Sequence, residues 1–213
     1  MTMRCEVREG QSPEQIADWV AQRLTAALAA SDDAIAITVP GGSTPFPIFE
    51  ALVKHALDFS RVTVWPNDDR VVPEDHAASN TGKLRAIFEP AGAQVVALGD
   101  GGSQTGAPPE FALTWLGMGA DGHIASLFPN TDPQVDDAQR IRRLTPDPLP
   151  PEAPFDRITL TMPALLNTSH LMFTLGGSSE KRAVFEAALA GEHDLPIARM
   201  LGTSQAKPLT CFA

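Results

Sequence analysis

The chain has 213 residues, 43% of them hydrophobic and 20% charged, and carries a formal net charge of −10 at pH 7. That supplies a sizeable core and lies far from the apolar-poor composition of disordered chains. The acidic balance argues against a nucleic-acid partner, which needs a basic face, and no apolar run approaches the roughly eighteen residues of a membrane span or forms the core of a secretion signal.

One domain over 1–213 and a cytoplasmic address follow as expectations, for a monomer or small homo-oligomer with no membrane partner. Cys5 and Cys211 lie near opposite ends, far from any histidine cluster. They read as buried free thiols, and no zinc spacing exists.

A short alternating piece opens the chain, followed by SPEQIADWVAQRLTAALAA. Ser12 as N-cap, Pro13 in the first turn and Gln15 completing a capping box precede Ile16, Trp19, Val20, Leu24 and Leu28 at helical spacing. This predicts an amphipathic helix. AIAITVP predicts a strand buried on both faces, and GGSTP leads into a helix marked by Phe46, Phe49, Leu52, Val53 and Ala56. RVTVW (strand), TGKLRAIFE (helix), AQVVAL and FALTWLG (strands) continue the alternation. RITLTMP and HLMFTLGG are expected in the same sheet, and SSEKRAVFEAALAG as a helix with Gly191 at its C-cap. The predicted fold class is α/β: three layers, with a mostly parallel Rossmann-like sheet and helices on both faces.

Two segments break this rhythm. Gly99 to Glu110 lacks helical periodicity although it joins two expected strands, where a parallel crossover normally needs about a dozen residues. Leu144 to Pro154 holds five prolines and predicts an extended surface loop.

In such sheets ligands gather beyond the carboxyl ends of the strands, and three loops there carry chemistry. At Gly41, Gly42, Ser43 and Thr44, glycines admit a close ligand and a helix start offers free N–H groups to an anion; the plain alternative is a tight turn with a Ser/Thr cap. The loop is not a Walker A motif. At Asp68, Asp69 and Arg70, two acids would fix an arginine fork toward a carbonyl or phosphate, against the plain reading of a solvated charged turn. His76, nearby, reads as a surface histidine.

The third loop, LGMGADGHIASLFP, matches G-x-G-x-x-G at Gly117, Gly119 and Gly122. A dinucleotide site needs a long helix next and an acid about twenty residues on, but Pro129 forbids the helix and RIRRL offers no acid. The glycines instead free a turn that presents Asp121 and His123. A carboxylate beside an imidazole fixes its tautomer, and an unperturbed imidazole, titrating near about 6.5, suits deprotonation of water. No G-x-S-x-G elbow exists for a serine hydrolase. His55, His170 and His193 have no comparable surroundings.

GGSTP, NDDRVVPEDHAASN and LGMGADGHIASLFP, in that order on βα turns, resemble the 6-phosphogluconolactonase family, from about Ile35 to about Gly191. The resemblance implies hydrolysis of 6-phosphoglucono-δ-lactone to 6-phosphogluconate, a step of the oxidative pentose phosphate pathway, without metal or cofactor. It implies a general base at His123 with Asp121 beside it, and a substrate-contacting arginine at Arg70. Gly41, Gly42, Ser43 and Thr44 match the phosphate-side loop and Lys181 a lysine near the phosphate, with Asp68 and Asn80 at further substrate-side positions.

The related glucosamine-6-phosphate deaminases share GG and DGHIA but continue with Phe-Asn-Glu-Pro where this chain has SLFP, and carry an aromatic residue at the Arg70 position. Three departures from the lactonase pattern stand out. Asp69 replaces the Glu of D-E-R. The Gly99 to Glu110 segment reads as a deleted crossover helix that would leave sheet surface exposed. The family typically continues past PLTCFA through a final strand into a helix. The alternatives are therefore a deaminase-like enzyme and a sugar-phosphate-binding protein without turnover.

Overall fold

The structure, a computed structural model, describes residues 5–99, 106–151, 153–204 and 207–213. The strands of the main sheet are β1 (Cys5–Arg8), β2 (Ile35–Val39), β3 (Val62–Pro66), β5 (Gln94–Val95), β6 (Leu113–Leu116), β9 (Leu171–Thr174) and β10 (Leu209–Phe212). They pair in the order β1-β10-β9-β6-β2-β3-β5, every pair parallel. β4 (Asp68–Arg70), β7 (Ile141–Leu144) and β8 (Arg157–Leu160) form a separate antiparallel sheet in the order β4-β8-β7.

The helices are α1 (Pro13–Ala29), α2 (Phe46–Leu52), α3 (Asn80–Phe88), α4 (Met162–Leu165), α5 (Ser179–Ala190) and α6 (Pro196–Thr203). Side chains alternate across a strand, and this alternation divides the interior in two. Ile35, Ile37 and Val39 of β2 with Leu113 and Trp115 of β6 join one core under α1, α2 and α3, whereas Ala36, Trp65, Leu116, Leu171 and Phe173 join the other with α4, α5, α6 and β8. The result is the expected three-layer α/β arrangement.

Several local predictions hold. Ser12 accepts from the Gln15 backbone N–H at 3.3 Å while its own N–H donates to Gln15 Oε1 at 2.8 Å, the capping box of α1. Gly191 ends α5 in the left-handed conformation. Cys5 and Cys211 are free thiols as expected, but only Cys211 is buried; Cys5, on the edge strand β1, is partly exposed. No helix among the described residues is long and apolar enough to cross a membrane.

Other expectations are corrected. RITL does not extend the main sheet: Arg157 and Thr159 alternate with Ile158 and Leu160, and only the latter two reach the apolar core, so the strand belongs to a sheet with one polar face. The residues after it turn into α4, because Met162, Ala164 and Leu165 bury as a helical turn. AQVVAL is ladder only at Gln94–Val95, and α2 stops at Leu52, short of Ala56. Helix α6, unanticipated, buries Ile197, Met200 and Leu201 against the second core.

Within Gly99 to Glu110, residues 100–105 lie outside the described residues, so the expected lack of a helix there is addressed only at the flanks. The sheet surface nearby is not bare. Trp65 is 6% exposed and meets the Phe111 ring edge-on at 6.2 Å between centroids, in a core that includes Leu98. The terminal PLTCFA supplies β10, seated between β1 and β9.

Candidate active site

Because the main sheet is wholly parallel, β2, β3, β6 and β9 all end on one edge, and the small antiparallel sheet stands beside it. Between them lies a cavity of about 810 Å³. Nine of the ten residues singled out from sequence line it: Gly41, Gly42, Ser43, Thr44, Asp68, Arg70, Asn80, His123 and Lys181. Asp121, the tenth, stands behind His123.

The turn after β6 is folded by two backbone bonds, Gly119 N–H to the His123 carbonyl (2.9 Å) and Gly122 N–H to the Gly119 carbonyl (3.0 Å). Within it His123 Nδ1 lies 2.6 Å from Asp121 Oδ1. Hydrogen bonding to His123 is the chief cause holding the Asp121 carboxyl below its usual range, against an opposing desolvation. An ionised Asp121 places the proton on Nδ1, which leaves Nε2 as a free base. Phe128 packs on the imidazole with centroids 5.0 Å apart. A Cβ on Gly119 would fall well under 3.0 Å from both His123 and Asp121. Glycine is there because the pair lies across its backbone. No α-helix follows Gly122, only a 3-10 turn at Pro129–Thr131, so the nucleotide-loop reading has no structural support.

The second loop is built differently from its sequence reading. Asp69 does not hold the Arg70 guanidinium. It is buried and accepts from the backbone N–H groups of Arg70 (2.7 Å), Asn80 (2.6 Å) and Thr81 (2.8 Å) and from the Ser79 hydroxyl (3.3 Å). Its work is to close the turn onto the start of α3. Arg70 instead donates from Nη1 to the Ala78 carbonyl (2.8 Å) and more distantly to Asn80 Oδ1 (3.5 Å). Asn80 Nδ2 donates to the Asp68 carbonyl at 2.9 Å. The Asp68 carboxylate accepts a short bond from the Ser126 hydroxyl, and burial pushes its carboxyl above the ordinary range although Ser126, Arg70 and Arg157 oppose the shift.

In the first loop neither Ser43 nor Thr44 caps α2, whose cap position is Pro45, so the plain capped-turn reading is set aside. Lys181 begins α5 half-buried, its N–H bound to Ser178 Oγ at 3.3 Å.

Lys83, Ser126, Phe128 and Arg157 are among the further residues that line the same cavity. Ser126 and Phe128 sit in the quoted third motif. The legible sign for Arg157 was the polar–apolar alternation of R-I-T-L. His76 also lines the cavity; it is exposed, as the sequence suggested, and accepts from the Ala78 N–H at Nδ1 (3.0 Å). His170, by contrast, is buried against Trp19, and burial pulls it down to about 4. Among the described residues no group of histidine, cysteine and acid side chains could hold a metal ion.

Residues 9–209 match the family described as glucosamine-6-phosphate isomerases/6-phosphogluconolactonase. The 6-phosphogluconolactonase of Pseudomonas aeruginosa is 37% identical over 206 residues, covering 87% of this chain and 85% of the relative. That of Neisseria meningitidis serogroup A is 32% identical over 203 residues, covering 86% of each. The crystal structure of a 6-phosphogluconolactonase from Shewanella baltica OS155 superposes with a TM-score of 0.82 at 27% identity, over 100% of this chain and 98% of that one. A monomeric glucosamine-6-phosphate deaminase superposes at 0.72 with 16% identity, over 97% of this chain and 96% of that one, a likeness of fold alone.

Proposed function

Since the chain belongs to the family of glucosamine-6-phosphate isomerases and 6-phosphogluconolactonases, we propose that it hydrolyses 6-phosphoglucono-δ-lactone to 6-phosphogluconate in the oxidative pentose phosphate pathway. The observation that carries this reading is the Asp121–His123 pair, opening onto a cavity that also holds Arg70 and Lys181.

In the mechanism we infer, His123 Nε2 takes a proton from water as the oxygen attacks the lactone carbonyl at C1. Asp121 stabilises the imidazolium that forms. Arg70 offsets the charge on the carbonyl oxygen. Collapse of the tetrahedral intermediate breaks the bond from C1 to the ring oxygen, which takes the proton back from His123 and leaves as the C5 hydroxyl. The acid product then ionises. The loop from Gly41 to Thr44 and Lys181 bind the phosphate, far from C1, and so orient the ring.

The deaminase alternative is less well supported. Its Phe-Asn-Glu-Pro run would put a glutamate at the position of Phe128, and here an apolar ring packs on His123 instead.

We further infer one domain acting in the cytoplasm as a monomer or small homo-oligomer, without metal or cofactor. The test is the hydrolysis of freshly generated lactone above its spontaneous rate. The intact protein should accelerate it, and His123→Ala should lose about 10²–10⁴ of that acceleration with its circular dichroism unchanged. An intact protein that binds 6-phosphogluconate but gives no acceleration would instead be a binding protein.

A further inference from the structure

Two guanidinium groups share one wall of the cavity. Arg70 and Arg157 are direct partners in the antiparallel β4–β8 ladder, so their side chains leave the same face, and both line the cavity. Like charges opposite one another in a ladder repel, and Arg157 is 3% exposed. Burial, and next the charge of Arg70, pull Arg157 below the usual arginine range, against the opposing charges of Asp68, Asp156 and Asp69. Such a pair calls for counter-charge.

Among the described residues no carboxylate bonds to either group. Arg70 reaches only the Ala78 carbonyl and the Asn80 amide oxygen, and its Nε is buried without a partner. Arg157 donates to the carbonyls of Ala153 (2.7 Å) and Phe155. Asp68 is the one described acid lining the cavity, and its carboxylate is engaged by Ser126. The same serine ties this wall to the base: it lies three residues beyond His123, and its N–H donates to Thr159 Oγ1 on β8 at 3.3 Å. The positive charge on the wall joined to the His123 turn is therefore met only through space, by Asp68, Asp69 and Asp156, and by no carboxylate in direct contact.

We propose that Arg157 is a second catalytic arginine of this site, binding together with Arg70 the negative charge that appears at C1, first on the tetrahedral oxyanion and then on the product carboxylate. The inference rests on the lactonase reading. The ground-state lactone is neutral at C1, so a fixed cation pair there favours the transition state over the substrate. Two forks can also hold two carboxylate oxygens at once.

The experiment compares two ligands by titration calorimetry: 6-phosphogluconate, and glucitol 6-phosphate, which keeps the phosphate but has an alcohol at C1. Arg157→Gln should weaken 6-phosphogluconate by about tenfold or more and leave glucitol 6-phosphate within about twofold, with the kinetic loss falling on kcat rather than KM. An equal loss for both ligands, or for neither, would overturn the proposal. It would leave Arg157 as an anchor of the loop carrying Ala153 and Phe155. Should Arg157→Gln not fold, Arg157→Met is read by the same ratio. A wild-type protein without lactonase activity would defeat the underlying reading, whereas an active wild type with an unchanged ligand ratio in the variant defeats only the role given to Arg157.

Discussion

The side chain of Asn80 fills the space that a Cβ on Gly41 would need, at well under 3.0 Å. Asn80 is buried, and its amide holds the Asp68 carbonyl on one side and meets the Arg70 guanidinium on the other. The glycine loop and the Asp68–Arg70 strand are thus fitted to each other through one amide. Gly41→Ala should displace Asn80 and with it Arg70, lowering kcat/KM by about 10², the scale of a misplacement near 1 Å. Steady-state kinetics on the lactone, beside a thermal melt, separate this from unfolding.

The Asp121–His123 pair makes a different prediction. Asp121→Asn should cut kcat by about 10²–10⁴, because an amide no longer fixes the productive tautomer. Its depressed pKa stabilises the fold above the ordinary carboxylate range, an effect lost as pH falls through the folded value. Asp121 is more than half exposed, so that contribution is screened and the variant should stay within about 1 kcal/mol of the wild type in urea. A large stability loss would contradict a role in orientation.

Asp68 should behave in the opposite sense. Burial raises its carboxyl pKa, so the charged form weighs against folding: stability is full below the ordinary carboxylate range and is lost as pH rises through the folded value. Asp68→Asn, still able to accept from Ser126, should raise Tm at pH 7, because the desolvation it relieves outweighs the attraction to Arg70 and Arg157 that it forfeits. Activity should fall at the same time. Calorimetry and the lactone assay on one preparation check both halves.

His170 sets an acid limit. It is held neutral, down to about 4 from 6.5, so the unfolded chain takes up a proton between those values that the folded chain refuses. Stability is present above pH 6.5 and drains as pH falls toward 4, by at most about 3 kcal/mol. His170→Gln should flatten that acid slope in urea titrations at stepped pH. An unchanged slope would place the sensitivity elsewhere.

The alternation of buried strands and capped helices made the layered fold legible, since β2, β6 and β9 are apolar runs and α1 and α5 announce their ends at Ser12 and Gly191. What escaped depends on tertiary context. Asp69 looked like a partner for Arg70, yet four nearby donors claim its oxygens. Arg157 looked like the start of another core strand because Ile158 and Leu160 dominate R-I-T-L; only the pairing with β4 turns its other face into the cavity. Helix α6 lacks a capping side chain, so the proline at its first position, Pro196, was the one local sign of its start. The His123 turn was legible because the glycine spacing, the carboxylate and the nearby proline all lie within one short stretch.

The placement of β10 also orders events during synthesis. Residues Leu209–Phe212 pair with β9 on one side and with Cys5–Arg8 on the other. β1 must therefore wait, edge unpaired, until Leu209–Phe212 have emerged from the ribosome. Closure between such distant segments is slow, and an unpaired edge invites association with neighbouring chains in the interval. Nascent copies of this protein are thus most exposed to misassembly at the outer edge that β1 later forms, on the opposite side of the sheet from β5.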